Sequence, residues 1–135
     1  MTQDLLEVFQ SMDFSNKDEG ITLNDRVLII DGMNTFIRSF AAIPTMDENG
    51  NHIGGVTGFL KSVGYVIRKF KPSRVYVIFD GKGGSKRRRD IYPDYKSGRK
   101  PLTRLNRTYD MTTEQDEQDL MRYELVIVAR ALMKL

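Results

Sequence analysis

Two short apolar runs, Val27-Leu28-Ile29-Ile30 and Val75-Tyr76-Val77-Ile78-Phe79, each run straight into Asp-Gly, and they constrain the fold more than any other feature of the chain. Unbroken β-branched and apolar runs are the pattern of strands buried on both faces, as in a parallel sheet. Roughly forty residues separate the two runs, enough for the crossover that parallel neighbours require. Helical spacing fills that interval. Phe36, Ile37, Phe40 and Ala41 mark a helix over 34–42 that stops before Pro44. Val56, Phe59, Leu60, Val63, Ile67 and Phe70, in steps of three and four, mark a second over 55–70 that stops before Pro72. The expectation is an α/β fold built on a βαβ unit.

The flanks read differently. Residues 1–25 carry six acids and one lysine, with Leu5, Leu6, Val8, Phe9 and Met12 able to line one face of a short helix; they form an N-terminal appendage. Residues 46–53 contain Asp-Glu-Asn-Gly-Asn, a turn-rich excursion suited to a short hairpin, and His52 within it reads as a surface residue. Residues 82–110 have no sustained period. From Thr113 to Leu135 there is no Gly or Pro, and Leu120, Tyr123, Val126, Ile127, Ala131 and Leu132 fall at helical spacing. That helix is acidic at its start (Glu114, Asp116, Glu117, Asp119) and basic near its end (Arg130, Lys134), as the helix dipole favours.

Composition removes several classes of function. There is no cysteine, hence no disulfide framework, thiolate nucleophile or cysteine-ligated metal. A single histidine leaves no histidine-rich metal site. The apolar stretches are far shorter than the ~18 residues of a membrane span, and the N-terminus lacks the pattern of a signal peptide, so the chain reads as soluble and cytoplasmic, with no membrane partner. At 135 residues it is one domain's worth of chain. Charge is unevenly spread. Between Lys82 and Arg107 ten basic and two acidic residues give +8, which leaves −5 for the rest of a chain whose total is +3. Such a segment suits a polyanion, nucleic acid being the commonest; the alternative is a solvated charged loop.

The chemistry concentrates at the strand ends. Ligands of parallel α/β sheets bind beyond the carboxyl ends of the strands, and parallel neighbours would set Asp31 and Asp80 side by side there. Two converging carboxylates repel unless a cation neutralises them, which favours a hard divalent metal. The competing reading is that each aspartate caps the helix or turn that follows. Directly after Asp80, arginines and lysines alternate with Tyr92 and Tyr95, a mixture suited to phosphates and bases.

The stretches RVLIIDGMN (26–34), GGVTGFLKSV (54–63), YVIFDGKGG (76–84) and YPDYKSGR (92–99) together resemble the N-terminal part of the 5′–3′ exonuclease/flap endonuclease family. The resemblance spans 26–135 and implies a PIN-like, resolvase-like parallel sheet flanked by helices, with 82–110 as a basic arch-like segment. It implies a two-metal site using Mg2+ or Mn2+, and hydrolysis of 5′-ended branched DNA or RNA–DNA in primer removal or repair. Carried over residue by residue, Asp31 and Asp80 resemble metal ligands, and Lys96 and Arg99 the catalytic basic pair at the scissile phosphate. Lys82, Lys86, Arg87, Arg88, Arg89, Tyr95 and Lys100 resemble nucleic-acid contacts. Gly54, Gly55 and Gly58 match the turn where backbone amides approach the strand. In the family a Glu-Ala-Asp-Asp-type cluster follows the last helix. No Glu-x-Asp-Asp occurs here, so the resemblance covers a front, truncated half that expects a separate chain to supply the remaining acids. The alternative is a noncatalytic nucleic-acid-binding module or inactive remnant.

Overall fold

A computed structural model describes residues 25–81, 83–99, 105–111 and 113–134 of the chain. The appendage expected over residues 1–25, all but Asp25 of it, lies outside the described residues, as do Lys82 and Lys100. The elements run β1 (Val27–Asp31), α1 (Gly32–Ala42), α2 (Gly54–Phe70), β2 (Arg74–Ile78), α3 (Lys86–Ile91) and α4 (Glu114–Met133).

The two strands pair in parallel, in a register that runs from Val27 opposite Arg74 to Asp31 opposite Ile78. This is the βαβ arrangement expected from the strand spacing. Leu28, Ile30, Val75 and Val77 face a core formed with Phe36, Phe40, Val56, Phe59, Leu60, Val63, Val128 and Ala131. Phe36 and Phe40 stack at 5.8 Å within that core. Phe79 lies just beyond the end of β2, and its ring stacks on Phe59 at 5.9 Å.

One strand expectation is corrected. The runs predict burial on both faces, yet Val27, Ile29, Tyr76 and Ile78 are exposed, Ile29 at 65% and Ile78 at 54%. Strand alternation places these four on the side opposite Leu28 and Ile30. Among the described residues no element covers that side. The apolar run therefore encodes two buried faces, and the described residues supply a cover for one.

Helix boundaries follow local chemistry. α1 starts two residues earlier than its periodicity predicts, because the Asp31 side chain caps it by accepting from the Asn34 amide at 2.9 Å. α2 begins at buried glycines that let it lie tightly against its neighbours. A Cβ on Gly54 would overlap the Ile43 carbonyl oxygen, and one on Gly58 would meet the Ser39 side chain at 2.6 Å. α4 opens with a capping box in which Thr113 Oγ1 accepts from the Asp116 amide and the Asp116 carboxylate accepts from the Thr113 amide, a device worth about 1 kcal/mol. α3 falls inside the stretch read as having no period; its six residues are too few to show one. The 46–53 excursion closes as a small hairpin, with Met46 bridged antiparallel to His52.

Candidate functional site

Asp31 is the last residue of β1, and Asp80 lies two residues past the end of β2. Because the strands are parallel and adjacent, both aspartates sit at the carboxyl edge of the sheet, and both are exposed. Asp31 Oδ1 accepts from the Asn34 amide, so the capping reading describes what one of its oxygens does. A carboxylate has more than one acceptor position, and this cap leaves Oδ2 uncommitted. Among the described residues no hydrogen bond is made to the Asp80 carboxylate. Its neighbour is Gly84, where a Cβ would come within 3.1 Å of the Asp80 Cβ, so the glycine lets the chain fold back beside it.

No group of three or more acids or histidines converges as a metal cage among the described residues. Two carboxylates at one edge fit a single, largely hydrated divalent cation. They do not fit two, because two such ions bring +4 against −2.

The cationic segment is organised around Tyr95. Arg88 of α3 donates from Nη1 to the Tyr95 hydroxyl at 3.0 Å, and the Lys96 ammonium sits 5.1 Å from the centre of the same ring. The Arg88 hydrogen bond, helped by the charges of Arg88 and Lys96, holds the Tyr95 phenol below its ordinary pKa. Arg88 in turn is held above its ordinary value, first by that bond and, more weakly, by the charges of Asp80 and Asp31. The guanidinium thus lies within the field of both aspartates. Lys86, Arg87, Arg88 and Arg89 are all exposed, as are Lys96 and Arg99. Lys96 holds a left-handed backbone, φ 61°, and the Arg99 amide donates to its carbonyl at 3.1 Å.

Sequence reasoning missed a buried polar network. His52, read as a surface residue, is fully buried, as is Glu124 of α4. Their side chains meet at 2.9 Å through Nδ1 and Oε2, while Glu124 Oε1 accepts from the Gly55 and Val56 amides at 2.9 and 3.3 Å. His52 Nε2 lies 2.8 Å from the Ile43 carbonyl oxygen and 3.2 Å from Asn106 Nδ2. Asn106 Nδ2 reaches the Phe40 carbonyl, and its Oδ1 accepts from the Thr108 and Tyr109 amides. Glu117, two turns earlier in α4 and also buried, accepts from the Leu105 and Asn106 amides. Nothing local marks His52, since its partner lies 72 residues away. A glutamate at a helix position otherwise facing Val128 and Ala131 is the one available signal.

The same network reaches the glycines at the start of α2. Gly54 and Gly55 are both buried, and the Gly55 amide donates to Glu124. A Cβ on Gly55 would meet the Phe36 ring at 2.6 Å, so these positions are small in order to pack.

Residues 26–122 match the family model described as 5′-3′ exonuclease, N-terminal resolvase-like domain. A flap endonuclease Xni from Shewanella sp. (strain W3-18-1) is 37% identical over 78 residues, 58% of this chain and 28% of the relative. One from Shewanella denitrificans is 42% identical over 77 residues, 56% of this chain and 29% of the relative. A 5′-3′ exonuclease from Bacillus subtilis is 31% identical over 97 residues, 67% of this chain and 32% of the relative. The chain thus spans about three-tenths of the length of the curated relatives it matches. No solved structure gives a significant match.

Proposed function

This chain belongs to the 5′-3′ exonuclease family through its N-terminal resolvase-like domain, and from that premise we propose that it forms the N-terminal portion of a metal-dependent nuclease acting on 5′-ended DNA or RNA–DNA. The observation that carries the proposal is the parallel register, which brings Asp31 and Asp80 to one sheet edge with the cationic segment following directly. In this reading Asp31 and Asp80 hold a Mg2+ or Mn2+ ion. When bound, it supplies positive charge for activating water and stabilising a leaving oxygen.

The chain's own residues do the rest. Lys96 and Arg99 meet the scissile phosphate and offset charge that builds on it. Lys82, Lys86, Arg87, Arg88, Arg89, Tyr95 and Lys100 hold the neighbouring backbone. Arg88, fixed by Tyr95 and felt by both aspartates, stands between those roles. Primer removal or repair in the cytoplasm is the setting such an activity fits.

The donor set falls short of two metals, so further carboxylates come from polypeptide beyond these residues, supplied by a separate chain or a longer one. The uncovered face bearing Val27, Ile29, Tyr76 and Ile78 offers such a segment an apolar seat. The test is cleavage of 5′-tailed duplex DNA in Mg2+. The chain alone is expected to be nearly inactive, and a polypeptide bearing a Glu-x-Asp-Asp cluster is expected to restore cleavage that Asp31→Ala abolishes. Strong cleavage by residues 1–135 alone, lost in Asp80→Ala, overturns the need for complementation. Supplemented chain that binds DNA but never cuts it favours a noncatalytic binding module.

A further inference from the structure

At the amino edge of the sheet, opposite the aspartates, lies a second cationic surface. Residues 54–79 contain five lysines and arginines and no acid at all. Four of those cations, Arg68, Lys69, Lys71 and Arg74, gather where α2 ends and β2 begins. Arg26 stands beside them across the sheet, tied by a hydrogen bond from Nη1 to the Phe70 carbonyl at 2.9 Å; the acid nearest in sequence is Asp25. Aromatic rings are interleaved with the charges. Tyr65 is 56% exposed, Phe70 48% and Tyr76 46%. The Lys69 ammonium lies 5.7 Å from the Tyr65 ring centre and 5.5 Å from that of Phe70, and Arg74 donates to the Tyr76 hydroxyl at 3.1 Å.

The helix dipole accounts for cations in the last turn of α2, but only for Arg68 and Lys69. It does not explain the exposed rings, or Arg74 on the strand. Nor does it explain Lys71, which closes α2 in the left-handed region at φ 44°, a place where glycine is the unstrained choice. The two described non-glycine residues with positive φ are Lys71 and Lys96, one in each cationic surface. Backbone strain kept at a lysine twice, each time among cations and tyrosine, matches one surface to the other.

We propose that this amino-edge surface is a second nucleic-acid-binding site, in which Arg68, Lys69 and Arg74 neutralise phosphates and Tyr65 and Phe70 stack on bases or sugars. Cations paired with exposed aromatic faces are the combination that single strands use. Strands of five residues put the two edges roughly 15 Å apart, about the rise of five nucleotides along one strand. A strand held at the amino edge is therefore held within a few nucleotides of Asp31 and Asp80.

The inference is independent of nuclease activity, and its test is run without divalent metal. Binding of a fluorescent 20-nucleotide single strand to the whole chain is measured against salt by anisotropy. Arg68→Ala/Lys69→Ala/Arg74→Ala is expected to weaken binding about tenfold at 0.1 M salt and to lower the slope of log K against log salt by about 2. Tyr65→Ala/Phe70→Ala is expected to weaken binding several-fold with the slope unchanged, because stacking releases no counterions. Both effects should persist in an Asp31→Asn/Asp80→Asn background, which separates them from any failure of the nuclease reading. An unaltered thermal midpoint confirms that the variants fold. Unchanged affinity and slope in the triple variant overturn the proposal. So does binding of polyglutamate or phosphatidylserine vesicles as tight as that of the oligonucleotide.

Discussion

The four acids at the centre of this structure divide into two pairs that behave in opposite ways. Glu117 and Glu124 are buried on α4, and each accepts backbone amides from a distant segment. Asp31 and Asp80 are exposed at the strand ends, with one amide on Asp31 and no described partner on Asp80. A buried carboxylate survives only when its acceptor positions are filled, so the glutamates serve the fold. Among the described residues the aspartates keep acceptor positions open, and their charges reach Arg88 of α3, a condition that costs the fold little and suits a ligand. The difference shows that acid content does not locate a metal site. What separates the pairs is whether the acceptors are filled: backbone amides take those of Glu117 and Glu124, whereas among the described residues Asp31 receives one amide and Asp80 none.

Breaking the buried pair gives the largest expected effect. Glu124→Ala strands the Gly55 and Val56 amides and His52 together, and should cost about 3–5 kcal/mol in a denaturant titration. Glu124→Gln, which keeps an acceptor for the amides, should cost clearly less. A loss below about 1 kcal/mol for Glu124→Ala would erase the distinction between the two classes of acid. Glu117→Ala should cost about 1–3 kcal/mol, since it leaves only the Leu105 and Asn106 amides unpaired.

The exposed pair should respond in the reverse sense. Asp31→Asn keeps a capping side chain and should move stability by only a few tenths of a kcal/mol, whereas Asp31→Ala should cost about 1 kcal/mol. Asp80→Asn should leave stability unchanged. Either asparagine variant should nonetheless abolish Mn2+ binding measured by calorimetry. Retained Mn2+ affinity in both would remove the aspartates from the metal site.

The smallest effect sharpens the link between the aspartates and the cationic segment. The Arg88 hydrogen bond favours the Tyr95 phenolate, so in Arg88→Ala the phenol should titrate at higher pH than in the parent. Ultraviolet absorbance of the phenolate against pH reads this directly, with the other tyrosines removed by substitution. A titration that does not move would mean that the Arg88–Tyr95 contact is too weak to fix the guanidinium.

The amino-acid sequence by itself determined the strands, the two crossover helices, the acidic start of α4 and the side on which Asp31 and Asp80 lie. Each of these rests on local periodicity, charge pattern or β-branched runs, plus the rule that a crossover of this length joins parallel neighbours. Only the tertiary structure decided what happens where partners are remote. α2 begins at Gly54 with no side-chain cap from Ile53, and the carboxylate that serves it, Glu124, arrives from a helix 69 residues later. His52 is buried for the same reason: its polar atoms are satisfied by Glu124 and Ile43 once α4 has packed. The open face at Ile29 and Ile78 is the converse case. A strand's residues specify that both faces be buried, but whether a cover exists is set by what else packs there. Periodicity is a property of neighbours along the chain, whereas the satisfaction of a buried polar group is a property of neighbours in space.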